Sequence, residues 1–242
     1  MSSSFAIDHL TGVDDSHLVA LPDGHRLQPA VAEAWQRLVR DARGAGFDLA
    51  TASSYRDFGR QGAIWNAKAA GQRSVHDDAG NPVDMAALTP AQQMHAILRF
   101  SALPGTSRHH WGTDLDVFDA AAVPADYAVQ LTPAEVAPGG PFDALHTWLD
   151  ARMAAGESHG FYRPYAIDRG GVAPERWHLS YAPLALDCAG RVGASELRDC
   201  WNRHLPQGLL LRGEVEAELD VLLARYVSVA QGWCPGGIAG QH

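Results

Sequence analysis

The sequence predicts an α+β fold in which an antiparallel sheet is flanked by helices. Amphipathic helical segments and short alternating strands follow one another irregularly, unlike the regular alternation of a doubly wound parallel sheet. Of the 242 residues, 46% are hydrophobic and 19% are charged, which is typical of a globular chain with a sizeable core. No repeat, linker or block of charge divides the chain, so we expect residues 1–242 to form a single domain.

Each element follows from a local pattern. Apolar side chains at three- and four-residue spacing predict helices, and period-two alternation predicts strands. On this basis we expect helices over 29–45, 57–70, 89–100, 142–153, 195–204 and 214–227, and strands over 47–51, 113–118 and 177–181. Asp57 suits an N-cap, and Thr89 with Gln92 suits a capping box. Residues 72–88, rich in Asp, Gly, Asn and Pro, are expected to form a long loop.

Charge and hydropathy exclude several classes of partner. The chain has 28 acidic and 19 basic side chains, a net charge of -9 and no basic cluster, so we expect no nucleic-acid partner. No segment approaches the roughly 18 to 20 apolar residues of a membrane span. Residues 1–12 lack the basic and apolar segments of an export signal, which predicts a cytoplasmic protein. The periplasm is the alternative if a leader is missing, and the oligomeric state is not predicted.

The three cysteines are Cys188, Cys200 and Cys234. They are too few and too widely spaced for a disulfide scaffold or a thiolate zinc site. We therefore expect buried thiols, with a Cys188–Cys200 disulfide as the alternative.

Ligand-type side chains are densest in the segment from Ser107 to Asp116. On a strand, Asp114 and Asp116 project to one face, close to the histidines that precede them. Two neighbouring carboxylates are costly unless a cation or hydrogen-bond donors compensate them. A divalent metal ion is the simplest compensation.

A second polar segment, 175–181, places His178 on a predicted strand and Glu175 in the turn before it. Two imidazoles and one carboxylate are a typical ligand set for catalytic zinc, and His109, Asp116 and His178 supply one. Glu175 is then close enough to act as the base that takes a proton from water. The alternative is that these histidines are ordinary surface or core residues and the acids are solvated.

The pattern Ser107-x-His109-x-x-Gly112-x-Asp114-x-Asp116, followed by Glu175-x-x-His178, resembles the signature of the VanY-type D-alanyl-D-alanine carboxypeptidases, which are zinc peptidases. The earlier Ser53-Ser54-Tyr55-Arg56 segment with Gln61 is similar to another part of that family's pattern. The likeness spans roughly 27–181. It implies a VanY/hedgehog-like zinc peptidase fold, with a core over about 27–183 and a helical C-terminal portion at 194–228.

The resemblance also implies a role for each matching residue. Zinc would be bound by His109, Asp116 and His178, with Glu175 as general base and acid. Arg56 would stabilise an oxyanion or bind a substrate carboxylate, and Gln61 and Ser107 would contact the peptide. Adjacent residues on an extended segment point oppositely, so we do not expect both His109 and His110 to be ligands, and the resemblance selects His109. Asp114 departs from the family, which usually has Ala there, so we expect Asp114 to affect substrate preference.

The expected function is therefore that of a zinc-dependent peptidase with one catalytic domain. Its substrate would be a peptide bond next to a D-amino acid in peptidoglycan stem peptides, and a D-alanyl-D-alanine carboxypeptidase is the first choice. One alternative is an endopeptidase with the same metal chemistry. Another is a zinc-stabilised module that binds cell-wall peptides without cleaving them.

Overall fold

The computed structural model describes residues 5–229 of the chain. Within this range the strands are β1 (Val19–Ala20), β2 (Arg26–Leu27), β3 (Leu49–Ser53), β4 (Asp114–Asp119), β5 (Phe161–Tyr162) and β6 (His178–Tyr181). The α-helices are α1 (Ile7–Leu10), α2 (Pro29–Gly44), α3 (Phe58–Ala69), α4 (Pro90–Leu98), α5 (Pro133–Val136), α6 (Asp143–Ala154), α7 (Ala182–Cys188), α8 (Ala194–His204) and α9 (Arg212–Leu222). Short 3₁₀ turns lie at Met85–Ala87, Arg108–Trp111 and Ala120–Ala122, and a π-helical turn follows α9 at Leu223–Val227.

The sheet that organises the fold has the strand order β3-β4-β6-β5, and every neighbouring pair is antiparallel. β4 is central, and its Asp116 is paired with Ser53 on one side and with His178 on the other. The other sheet pairs β1 with β2. The predicted α+β class with an antiparallel sheet is confirmed.

One face of the sheet packs on helices. Leu115 and Val117 of β4 and Leu179 of β6 share a buried cluster with the apolar stripes of α2 and α6. Because side chains alternate across a strand, Asp114 and Asp116 point to the other face. A second buried cluster joins side chains of α3, α4, α8 and α9 beside that face. Asp114 and Asp116 are themselves buried on this second face of the sheet.

Most of the predicted elements are present, with ends displaced by one to three residues. Asp57 caps α3 through the backbone N–H of Arg60 at 2.7 Å, and Thr89 with Gln92 forms the predicted capping box of α4. The strand predicted from residue 47 begins at Leu49, and the helix predicted to run to residue 227 ends as a π-helical turn. Several short elements were not predicted from the sequence: α1, β1, β2, β5, α5 and α7.

One local prediction was wrong. His109 and His110 lie on the 3₁₀ turn Arg108–Trp111 and not on an extended segment. The turn ends at Gly112, whose left-handed backbone, with φ of 68°, redirects the chain into β4. Periodicity could not reveal so short a turn, because it holds less than two turns of helix.

Cys188 and Cys200 are free and buried, as predicted, and Cys234 lies outside the described residues. Among residues 5–229, no helix has both the length and the apolar character that a membrane crossing requires.

Gly112→Ala should destabilise the protein more than Gly24→Ala. Both glycines have positive φ, which costs an L-residue about 1–2 kcal/mol. At Gly112 an added Cβ would also overlap Leu18 Cδ2, whereas at Gly24 it would meet no described atom within 4 Å. Because Leu18 is only partly buried and its side chain can move, we expect the additional loss at Gly112 to lie at the lower end of the roughly 1–3 kcal/mol that overpacking costs. Urea unfolding of the two variants measures the difference, and equal losses would contradict the steric argument.

Candidate metal centre

Three elements bring the predicted ligands together. His109 lies on the 3₁₀ turn before β4, Asp116 lies within β4, and His178 is the first residue of β6. The antiparallel register places Asp116 directly opposite His178, and the turn at Gly112 brings His109 over the same end of the pair. All three side chains are buried. The sheet therefore assembles residues that are distant in the sequence.

The ligand atoms surround one point. Nε2 of His109 is 3.2 Å from Oδ2 of Asp116, and Nδ1 of His178 is 3.1 Å from Oδ1 of Asp116. One ligand atom from each residue lies within 4.8 Å of the other two. Zinc bonds of about 2.0–2.1 Å at tetrahedral angles separate ligand atoms by roughly 3.3 Å. His109, Asp116 and His178 thus form a group able to hold a metal ion.

Hydrogen bonds at the far side of each imidazole set which nitrogen faces this point. Nδ1 of His109 donates to the carbonyl of Ser54 at 2.8 Å, which leaves the Nε2 lone pair free. Nε2 of His178 donates to Asp114 at 2.8 Å, which leaves the Nδ1 lone pair free. Both lone pairs face Asp116, whose buried Oδ1 has no hydrogen-bond donor. Lone pairs that face one another at this distance repel unless a proton or a metal ion lies between them, and two imidazole nitrogens with one carboxylate are a donor set that fits a divalent metal ion.

The electrostatics of the site also favour a cation. Burial alone would lower the pKa of His178, but hydrogen bonds and charge from Asp114 and Asp116 outweigh burial and raise that pKa to about 9. Burial would raise the pKa of Asp116, yet His109 and His178 outweigh it and lower that pKa. The carboxylates of Asp114 and Asp116 therefore favour positive charge at the centre of the site.

Glu175 lies beside the ligands but farther from their centre. Its Oε2 is 3.6 Å from Nδ1 of His178, and its backbone N–H donates to the carbonyl of Tyr165 at 2.9 Å. Burial raises the pKa of Glu175 to about 7, with a further increase from Asp116 and opposing effects from His178 and from nearby cations. A carboxyl group with such a pKa can accept and return a proton near neutral pH.

Arg56 lies close enough to the site for its charge to interact with Asp116 and Glu175. Its Nη1 donates to Oε1 of Gln61 at 2.9 Å, and its Nη2 donates to Oγ of Ser53 at 3.3 Å. Burial lowers the pKa of Arg56, whereas the carboxylates of Asp116 and Glu175 oppose that shift. The guanidinium is therefore held in place facing both acids.

Two of the predicted substrate contacts are fully buried and hydrogen-bonded inside the protein. Gln61 is fully buried, and its Nε2 donates to the carbonyl of Ala102 at 2.7 Å, so both ends of its amide are engaged inside the protein. It holds Arg56, and its contact with the peptide stays a prediction. Asp114 is also fully buried, behind His178, and has no surface for a substrate. Ser107 is buried at the start of the 3₁₀ turn, and its contact with the peptide stays a prediction.

His110 has the contacts of a structural residue. Its Nδ1 donates to the carbonyl of Arg56 at 2.6 Å, and its Nε2 accepts from the backbone N–H of Gly105 at 3.1 Å. Both ring nitrogens are thereby engaged by the backbone. An extended segment was expected to separate the directions of His109 and His110, but both lie on the 3₁₀ turn, and backbone contacts hold the ring of His110.

Sequence reasoning missed Lys68, which also acts on this site. Lys68 lies two turns after Gln61 on the same face of α3, and its Nζ donates to Oγ of Ser101 at 2.7 Å. Its charge interacts with Glu175 and Arg56. It is the only lysine in the 242-residue sequence. The seven-residue spacing from Gln61 was the available signal.

Two imidazoles and a carboxylate around one point, with a carboxyl group and a guanidinium beside them, form the type of centre used by metal-dependent hydrolases. Residues 24–184 match the family described as VanY, D-alanyl-D-alanine carboxypeptidase. This match covers well over half of the chain and includes every residue of the centre. The chain belongs to the VanY family, as its motifs predicted.

The chain is also similar to individual proteins. Two proteins of Haemophilus influenzae, both named as uncharacterized, are 49% identical over 98 residues and 33% identical over 101 residues. These matches cover 39% and 41% of this chain, and 67% and 75% of the relatives.

Solved structures of similar fold include VanYB in complex with D-alanine-D-alanine, at 24% identity and a TM-score of 0.48. That match covers 83% of this chain and 88% of the other. The LdcB LD-carboxypeptidase matches at 20% identity and a TM-score of 0.47, covering 83% of this chain and 78% of the other.

His109→Ala and His178→Ala should each abolish stoichiometric metal binding. Each variant loses one of three protein ligands, so we expect zinc to fall from about one equivalent per chain to a small fraction. Metal analysis after dialysis measures this content. His110→Gln is the matched control, because His110 bonds only to the backbone, and it should retain the metal. Loss of zinc in the control together with retention in His109→Ala would reverse the assignment.

Proposed function

We propose that the protein is a zinc-dependent D-alanyl-D-alanine carboxypeptidase that removes the terminal D-alanine from peptidoglycan stem peptides. The observation that carries this proposal is the convergence of His109, Asp116 and His178 beside Glu175, in a chain that belongs to the VanY family. A zinc ion held by these three ligands would polarise the scissile carbonyl and increase the acidity of the attacking water.

The protein's own side chains then transfer the proton and stabilise the developing charge. Oε2 of Glu175 takes a proton from the attacking water and later returns it to the leaving amine. Arg56 points its guanidinium at the charge that develops on the carbonyl oxygen, and Gln61 keeps it in that orientation. Because both groups are largely enclosed, water screens these interactions weakly.

A carboxypeptidase must also bind the free carboxylate at the end of its substrate, and Lys68 is suited to this task. Its ammonium lies near Glu175 and Arg56, and Ser101 is its hydrogen-bond acceptor among the described residues. An ammonium has three N–H donors, so donors remain for an incoming carboxylate. An endopeptidase would have no use for a cation at that place. The position of Lys68 therefore favours the carboxypeptidase over the endopeptidase.

Glu175→Ala should separate metal binding from catalysis. The variant keeps all three ligands, so we expect about one equivalent of zinc per chain. It loses the base, so release of free D-alanine from a muramyl pentapeptide should cease. Glu157→Ala, which alters an exposed carboxylate paired with Arg152, is the control and should remain active.

Full hydrolysis by Glu175→Ala would contradict the mechanism. A zinc-loaded wild-type protein that binds the pentapeptide but releases no D-alanine would support the binding module instead. Product masses that show cleavage within the stem peptide would indicate an endopeptidase.

Lys68→Gln should weaken binding of substrates that end in a free carboxylate. A hydrogen bond to a charged group contributes about 1.5–3 kcal/mol, so we expect KM to rise about 10-fold or more with little change in kcat. Steady-state kinetics on a D-Ala-D-Ala peptide measures the change. Arg60→Gln, which removes an exposed cation from the same helix, is the control.

The pH dependence of KM gives a second test of the role of Lys68 in substrate binding. Burial, together with Arg73 and Arg56, lowers the pKa of Lys68 to about 8, although Glu175 opposes the shift. The ammonium is charged below this pH and neutral above it, so carboxylate binding should weaken as the pH rises through about 8. Weaker binding raises KM, and in Lys68→Gln we expect KM to show no such rise near pH 8. An unchanged KM profile in the variant would exclude Lys68 from substrate binding.

A further inference from the structure

A buried ion pair lies directly behind the metal ligand His178. Nε of Arg108 donates to Oδ1 of Asp114 at 2.9 Å, and the same oxygen accepts from Nε2 of His178 at 2.8 Å. Both charged side chains are almost completely shielded from solvent. Oδ2 of Asp114 accepts from Oγ1 of Thr113 at 2.5 Å. Both carboxylate oxygens of Asp114 are therefore engaged inside the protein.

Arg108 is itself held on several sides. Its Nη2 donates to Oγ of Ser180 at 2.6 Å and to the hydroxyl of Tyr162 at 2.9 Å. Its guanidinium also lies over the ring of Trp111, at 4.6 Å from the centroid. These contacts come from β6, β5 and the 3₁₀ turn, so the guanidinium cannot move without disturbing three elements.

We propose that Asp114 and Arg108 form a positioning pair that sets the orientation of His178 and presents its Nδ1 to the metal. This inference rests on the proposed metal centre and adds to it a function for two residues that touch neither metal nor substrate. The carboxylate accepts the Nε2 proton, which leaves the lone pair on Nδ1. It also makes the imidazole more basic and therefore a better ligand.

The geometry excludes the opposite orientation of the ring. A half-turn of the imidazole would place a C–H group against Asp114 and remove Nδ1 from Asp116. The buried carboxylate would then lose a donor that no solvent molecule replaces, because Asp114 is fully buried. Arg108 keeps Asp114 ionised and stationary, so the carboxylate does not follow a displaced ring.

His109 provides an internal comparison. Its orienting acceptor is the carbonyl of Ser54, a backbone group that belongs to the sheet region. His178 has no such backbone acceptor at its Nε2, and the carboxylate of Asp114 takes that position. Removing Asp114 should therefore affect one of the two imidazoles only.

The first test compares zinc affinities by competition with a chromophoric chelator. Asp114→Ala leaves Arg108 buried without its partner and therefore risks misfolding, so the decisive variant is the double change Arg108→Gln with Asp114→Ala. This variant removes both charges and should bind zinc about 10- to 100-fold more weakly than the wild type. Asp119→Ala, a buried carboxylate at the other end of β4 that accepts backbone N–H groups, is the matched control and should retain wild-type affinity.

Zinc binding by the double variant at wild-type affinity would overturn the positioning inference while leaving the proposed function intact. A wild-type protein that binds no zinc would instead overturn the proposed function.

The second test needs no variant. In the wild-type protein loaded with ¹¹³Cd²⁺ and labelled with ¹⁵N-histidine, we expect cadmium coupling to Nδ1 of one histidine and to Nε2 of another. The Nε2 proton of the Nδ1-bound ring should be protected from exchange by Asp114. Coupling to Nε2 of both rings would show that His178 does not have the proposed orientation.

Discussion

The pairing of β4 with β6 is the constraint on which the site depends. It places Asp116 opposite His178, so that a carboxylate and an imidazole face each other across two antiparallel strands. Their side chains project to one face because residues alternate along each strand, while Leu115 and Leu179 anchor the other face in the core. A register shift of one residue would exchange these faces and bury the ligands in the hydrophobic cluster. The core therefore specifies the position of the ligands.

Several charged side chains are buried around the pair formed by Asp116 and His178. Asp114, Asp116 and Arg108 are all buried, where a charge without partners is strongly unfavourable. Asp114 has Arg108 and His178 as partners, and Arg108 has further hydrogen-bond acceptors on β5 and β6. Asp116 is the exception, since its Oδ1 has no hydrogen-bond donor among residues 5–229. A metal ion bound between the two imidazoles would compensate this buried carboxylate oxygen.

The contacts that hold the proposed base differ from those that hold the ligands. Glu175 lies on irregular chain between β5 and β6, not within a strand. That segment is anchored where the N–H of Ala173 donates to the carbonyl of Arg99 at 2.9 Å and where Arg99 pairs with Asp168 at 2.5 Å. Glu175 is also held by its own backbone, because its N–H donates to the carbonyl of Tyr165 at 2.9 Å and its carbonyl accepts from the N–H of His178 at 3.1 Å. The proposed base is thereby joined directly to the first residue of β6.

The sequence by itself determined the fold class, the longer helices and the three residues of the candidate metal centre, because periodicity, capping residues and motif spacing are local properties. It did not reveal that His109 lies on a 3₁₀ turn, that Gln61 holds Arg56, or that Asp114 lies behind His178. Those facts depend on contacts between residues far apart in the chain, which no local pattern encodes. Only the packing of β4 against β6 decided which polar side chains face the metal position and which support it from behind, since burial and strand register exist only in the folded molecule.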